Sequence, residues 1–261
     1  MSYYHHLIKS APAYGALTTA WIAATSETDT TIISALNTLE TDLTTYGLTS
    51  KIKALYPMVG GTAAKHKFNF MDARDLDAAF RLTFNGGWTH SSTGALPNGT
   101  NAFADTFFNP SINNVANSSH MSFYSRTLVA EAKISMGCYN GSDYNQLALN
   151  FLGTTYCNPN NGGGAVAVSF SSNSQGFFVA SRTSATNVFG QRNSTQTTGT
   201  ATTARNNVSI YVGALNTTTG TQYPSSKESA FASIGNGLTN GEAANFYTAV
   251  QAFQTTLSRQ V

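Results

Sequence analysis

Charge is scarce in this chain: 10% of its 261 residues are Asp, Glu, Lys or Arg, against about 25% in an average soluble domain. A surface so poor in charge must be covered by neutral hydroxyl and amide groups, and Asn, Thr, Ser and Gly are abundant in keeping with that. The 14 basic and 12 acidic residues are dispersed and leave a formal charge of +2, so no basic stripe is available to track a phosphate backbone and nucleic acid is excluded as a partner. Long apolar runs are missing too. The most apolar N-terminal stretch, residues 11–24, is interrupted by Pro12, Tyr14, Gly15 and Thr18 and falls short of the roughly 20 residues that span a bilayer. Its weak apolar centre also makes a poor signal peptide, although Lys9 precedes it. Two cysteines, Cys138 and Cys157, can build neither a disulfide framework nor a zinc site. Cys138 lies in phase with Ala132, Ile134 and Met136 and reads as a buried free thiol, with a Cys138–Cys157 bridge as the alternative.

Catalytic patterns are equally sparse. Glycoside hydrolysis needs two carboxylates a few ångströms apart, and no Glu-x-Asp-x-Glu strand occurs. The one dense acidic group, Asp72, Asp75 and Asp77 with Arg74 among them, reads as a solvated turn; a calcium site is the alternative and would need further oxygen ligands. His90 precedes Ser91, but no nucleophile-elbow glycine pattern surrounds them. His5 and His6 fall in a tail, while His66 and His120 stand alone, a poor basis for a metal centre. Gly162-Gly-Gly164 lacks the Lys-Ser/Thr of a phosphate loop. No catalytic residue and no cofactor are therefore assigned.

What is present is periodicity. Over residues 27–46, Ile32, Leu36, Leu39, Leu43 and Tyr46 recur at four- and three-residue steps, which predicts a helix, started by a Ser26/Asp29 capping box and stopped at Gly47. The stripe suits either packing on the chain's own domain or a short oligomer seam through Ile32, Leu36, Leu39 and Leu43. Near residue 57 the period changes from helical to two, which places a boundary between an N-terminal attachment or oligomerisation segment, 1–56, and a domain over 57–261. Strands are expected over 79–84, 102–108, 121–126, 132–139, 146–151, 165–170, 176–182, 187–191 and 207–214, with turns such as 158–164 and a polar hairpin tip over 193–203. Thr239 and Glu242 form a capping box for a closing helix over about 240–257, whose Phe246, Val250, Phe253 and Leu257 share one face. The fold class is mainly β, an antiparallel two-sheet sandwich with a short C-terminal helix.

For binding, aromatic faces beside amides and carboxylates suit the C–H face and the hydroxyls of a sugar. Trp88 with Asn85 and His90 offers this, as do Tyr139 and Asn140 with Asp143 and Tyr144. A Trp between Gly-Gly and Thr is more often a plug beneath a loop, so the tyrosines are the better placed pair. Composition alone fits equally an uncharged β-domain with no ligand.

Several stretches resemble the concanavalin A-like (laminin-G-like) jelly-roll modules in virion proteins of bacteriophages that infect Bacteroidetes. They are Tyr56-Pro-Met-Val-Gly-Gly-Thr-Ala-Ala-Lys-His-Lys-Phe-Asn69, Asp75-Leu-Asp-Ala-Ala-Phe-Arg-Leu82, Asn85-Gly-Gly-Trp-Thr-His-Ser-Ser92, Pro97-Asn-Gly-Thr-Asn-Ala-Phe-Ala-Asp-Thr106, Asn207-Val-Ser-Ile-Tyr-Val-Gly-Ala-Leu-Asn216 and residues 229–261. The resemblance covers about residues 30–261. It implies a virion-surface structural protein of a tail fibre, head fibre or capsid decoration, held to other virion proteins by its N-terminal segment and homo-oligomeric, with a trimer favoured. It leaves two roles open: a lectin-like domain that binds a bacterial surface glycan, or a purely structural component.

Overall fold

Along the segment Gly176–Arg182, Phe177 and Val179 face one way and Phe178 and Ala180 the other, and all four side chains are fully buried. Successive strand residues point to opposite faces, so such a strand needs a packed layer on each side. The computed structural model, which describes residues 14–163, 168–170 and 172–261, supplies both layers. His5, His6, Gly164 and the first part of the strand expected over 165–170 lie outside the described residues.

In chain order the elements are α1 (Ala16–Thr25), α2 (Thr30–Thr45), β1 (Ile52–Tyr56), α3 (Ala63–His66), β2 (Thr83–Asn85), β3 (Trp88–Ser91), β4 (Gly94–Pro97), β5 (Phe103–Asp105), α4 (Pro110–Asn113), β6 (Ser119–Ser125), β7 (Met136–Tyr139), β8 (Tyr144–Phe151), β9 (Thr154–Asn161), β10 (Val168–Phe170), β11 (Gly176–Arg182), β12 (Asn187–Arg192), β13 (Thr195–Thr200), β14 (Tyr211–Val212), β15 (Leu215–Thr217), β16 (Gly220–Gln222), β17 (Ser229–Gly235) and α5 (Asn240–Thr256). One sheet runs β13-β12-β11-β6-β17-β4-β3, with β1 also on β17; the other runs β10-β9-β8-β7-β14-β5-β2, with β15 beside β7 and β16. Every pairing is antiparallel except β15 with β7.

Three layers result. Between the sheets, Met121, Phe123, Phe178 and Ile234 of the first meet Met136, Leu147, Leu149 and Val212 of the second. On the far side of the first sheet, Tyr124, Phe177, Val179 and Phe231 pack under Trp21, Leu36, Leu39, Leu43, Phe246, Val250 and Phe253 of the helices. The outer face of the second sheet carries only a small apolar cluster, Ile134, Ala148 and Leu215. The mainly β antiparallel sandwich with a C-terminal helix read from the sequence is the observed architecture. Its closing helix has the expected reciprocal cap, with Thr239 Oγ1 accepting from the Glu242 amide and the Glu242 carboxylate accepting from the Thr239 amide.

The N-terminal region differs from its expectation in three ways. Helix α2 begins at Thr30 because Asp29, not Ser26, is its cap, accepting from the amides of Thr31 and Ile32; Ser26 instead closes α1 in a left-handed conformation. The four-three stripe is buried within the chain. Leu36, Leu39 and Leu43 are at most 1% exposed, and Ile32 packs beside them in the same core as the α5 phenylalanines. That corrects the oligomer seam: these side chains have no surface left to offer a second copy. Finally, β1 pairs with β17, Ile52 opposite Gly235 and Tyr56 opposite Ala232, so the first sheet includes residues on both sides of position 57.

Two polar stretches read as turns are strands. Thr195–Thr200 is the edge strand β13, and residues 158–161 complete β9. Backbone pairing in place dominates the weak β propensity of Asn and Gly.

Candidate functional site

Strand β8 alternates cleanly over its middle. Leu147 and Leu149 point into the core between the sheets, which turns Gln146 and Ala148 outward. On β9, Cys157 points inward and Tyr156 and Asn158 outward. Register sets the outward residues side by side, Gln146 opposite Asn158 and Ala148 opposite Tyr156. Ile134 and Leu215 flank them, Tyr144 and Phe151 stand at the two ends of β8, and Tyr223 follows β16. Together these residues line a groove of about 230 Å³ on the outer face of the second sheet.

The groove has aromatic walls and a mixed floor. Tyr139 stacks on Tyr144 with ring centroids 4.2 Å apart and planes at 19°. Phe151 lies 6.1 Å from Tyr156 and 6.4 Å from Tyr223. Burial, then the neighbouring Tyr139 and Tyr223, raises the Tyr144 phenol, so it stays neutral and can both donate and accept. On the floor Gln146 is 8% exposed, and its Oε1 is buried with no hydrogen-bond partner. No lining residue is charged. At the rim, Leu152 and Tyr223 hold positive φ of 49° and 53° and are 72% and 46% exposed. Left-handed backbone is costly for side chains of this size, yet here it presents two apolar groups to solvent beside the groove.

The sequence-read candidates divide. Tyr144 lines the groove and Tyr139 backs it. Asn140 and Asp143 build the β7–β8 turn: Asn140 Oδ1 accepts from the amides of Ser142 and Asp143, and the Asp143 carbonyl accepts from Asn206 Nδ2. Neither lines the groove. Trp88 is a plug, its Nε1 donating to the Asn85 carbonyl and its ring edge-on to Phe84 and against Gly213, where a Cβ would come within 2.8 Å of the indole. Asn85 turns its amide back to the Thr83 carbonyl. Gln146, Phe151, Tyr156, Asn158 and Tyr223 were missed. The signal for the first four was the outward half of an alternation whose inward half, Leu147, Leu149 and Cys157, is apolar. It was hidden because residues 158–164 read as a turn.

The other titratable groups are otherwise engaged. Arg74 Nε and Nη2 donate to Asp72, Lys67 and Arg81 to Asp75, and Arg81 to Asp77. Hydrogen bonding to these cations holds Asp72 and Asp75 below the usual carboxylate range. The calcium alternative for Asp72, Asp75 and Asp77 is corrected accordingly: they form a surface ion-pair cluster, and among the described residues no group of three or more His, Cys, Asp or Glu side chains is placed to hold a metal. His66, read as isolated, is paired with His90, Nδ1 to Nδ1 at 2.9 Å. Cys138 and Cys157 are both buried free thiols.

No protein-family model and no curated protein matches the chain. Among solved structures, the chain is similar to domain 4 of AbnA, a GH43 extracellular arabinanase from Geobacillus stearothermophilus, in complex with arabinotriose, with a TM-score of 0.45, 13% identity, and coverage of 75% of this chain and 98% of that one. It is also similar to the binding domain of botulinum neurotoxin serotype D, with a TM-score of 0.47, 9% identity, and coverage of 77% of this chain and 51% of that one.

Proposed function

We propose that this chain is a lectin-like module of a bacteriophage virion and binds a saccharide of the host surface in the groove on its second sheet. The observation that carries the binding half is the groove itself, in which Tyr144, Tyr156 and Tyr223 surround an amide floor with no charged group. Aromatic faces accept the apolar C–H side of a sugar while amides and phenols meet its hydroxyls. The lining holds no carboxylate, thiol or imidazole, so it offers retention and no groups for glycosidic cleavage. The virion half rests on the sequence resemblance and carries with it homo-oligomeric display, as a trimer, on the particle.

The test is a bacterial glycan array probed with the intact chain, alongside Tyr156→Ala and Tyr144→Ala. Saturable binding weakened at least tenfold by either substitution is expected. A folded chain that binds no glycan would overturn the reading and favour a contact-only role in the particle. Sedimentation of the same sample reports subunit number, with three copies of the 27.7 kDa chain expected and a monomer contrary.

A further inference from the structure

The groove is more specific than a generic sugar platform. Gln146 Oε1, buried and without a partner, is an acceptor waiting for a donor. A buried acceptor left unmatched destabilises the free protein, so its natural complement is an N–H or O–H brought in by a ligand. Beside it, Ala148, Ile134 and Leu215 form the buried apolar cluster of this face, with the Tyr156 and Phe151 rings alongside. Such a surface offers a hydroxyl nothing and suits a methyl group. The absence of charge in the lining disfavours uronic and sialic acids, whose carboxylates would lose hydration without gaining a cation. A volume of about 230 Å³ lies below the usual range of roughly 300–1,000 Å³ for drug-sized ligands, which limits the deep contact to one sugar residue.

A donor and a methyl within one small neutral substituent describe an acetamido group. Resting on the saccharide-binding reading above, we propose that the groove selects a neutral N-acetylated hexosamine, its amide N–H donating to Gln146 Oε1 and its acetyl methyl seated on Ala148 and Leu215, while Tyr144 and Tyr223 border the ring. One hydrogen bond and one buried methyl add up to a preference of about tenfold over the same sugar with a hydroxyl at that position.

The experiment is calorimetric titration of the intact chain with the methyl glycosides of N-acetylglucosamine and glucose, and of N-acetylgalactosamine and galactose, repeated on Gln146→Leu. This substitution replaces an unmatched acceptor by an apolar side chain of similar size, and a chemical melt confirms that the variant folds. The expected result is a Kd at least about tenfold lower for one acetamido sugar than for its hydroxyl counterpart, with Gln146→Leu reducing that ratio to threefold or less. Equal affinities within each pair, or a preference that survives in Gln146→Leu, would overturn the acetamido assignment and leave saccharide binding standing. No binding to any glycoside, nor to any glycan on the array, would overturn both.

Discussion

Arg182 and Arg259 are sealed inside the protein, at 0% and 1% exposure, and each is satisfied by carbonyls in place of a carboxylate. Arg182 donates to the carbonyls of Pro159, Ala185 and Thr202, tying β9 to the β11–β12 turn and to the segment after β13. Arg259 donates to those of Pro57, Met58 and Ala230 and to Gln254 Oε1, and lies over the Phe253 ring. Only the planar five-donor fork of Arg reaches so many acceptors at once. Burial lowers the Arg259 guanidinium to about 9, which still leaves it charged at neutral pH. Arg259→Lys strands at least two buried acceptors and should cost about 3 kcal/mol, given roughly 1–3 for each unmatched group; a urea midpoint shift worth less than about 1 kcal/mol would contradict this. Histidine sets the acid limit. Burial lowers His66 to about 3 and His120 to about 4; His120 Nδ1 donates to the Asn236 carbonyl and its Nε2 meets Ser233 Oγ. In the unfolded chain both titrate near 6.5, so between that pH and about 4 the unfolded state binds more protons. Their stabilisation is complete above pH 6.5 and is lost as pH falls, with a limiting slope of about 2.7 kcal/mol per pH unit for two protons. Denaturant midpoints at pH 7.0, 5.5 and 4.5 should fall steadily, and a flat profile over that window would show that the imidazoles are not held neutral.

At the scale of elements, the N-terminal helices belong to the sandwich. Trp21, Leu36 and Leu43, each fully buried, roof the first sheet with α5, and β1 adds a strand to β17. A fragment over 57–261 would expose that roof and one side of β17 together, and it should be insoluble or lack a cooperative melt, where the full chain melts cooperatively; equal stability of the two would refute the integration. A second element, the β8–β9 hairpin, turns through Leu152 and Gly153, both at positive φ, where Asn-Gly is the favoured pair. Leu152→Asn should stabilise the fold by about 1 kcal/mol while removing an apolar rim group of the groove. Calorimetric melting gives the first half of that prediction, and a lower Tm would contradict it. These elements also show what was legible in the chain. Helix α5 was readable to within a residue because Thr239, Glu242 and its phenylalanine stripe are local signals. So was β11, flanked by a turn and rich in Phe and Val. The central strand β17, Ser229–Gly235, was not recognised as a strand, because its small residues and Gly carry little propensity and its place depends on three distant partners. The four-three stripe of α2 was legible as a buried face, but its partner was not, since a pattern of leucines does not say whether α5 or a second copy covers it.

The whole molecule is a sandwich with one roofed side and one open side. Helices cover the outer face of the first sheet, while the outer face of the second carries three apolar core residues ringed by aromatic and amide groups. The half of the site visible in sequence was Tyr139 and Tyr144, neighbours across one tight turn. The other half, Gln146, Tyr156, Asn158 and Tyr223, is assembled by strand register and by a distant hairpin, and no local pattern announces it. Trp88, attractive as a lone Trp among polar residues, was absorbed by packing. The central claim is that this face, and no other, holds a saccharide. The most direct measurement is methyl NMR of the intact chain, with Ala, Ile and Leu methyls labelled, titrated with the tightest-binding glycan from the array. Saturable shifts concentrated at Ala148, Ile134 and Leu215 are predicted. Shifts confined to other faces of the molecule, or none during saturating binding, would contradict the account.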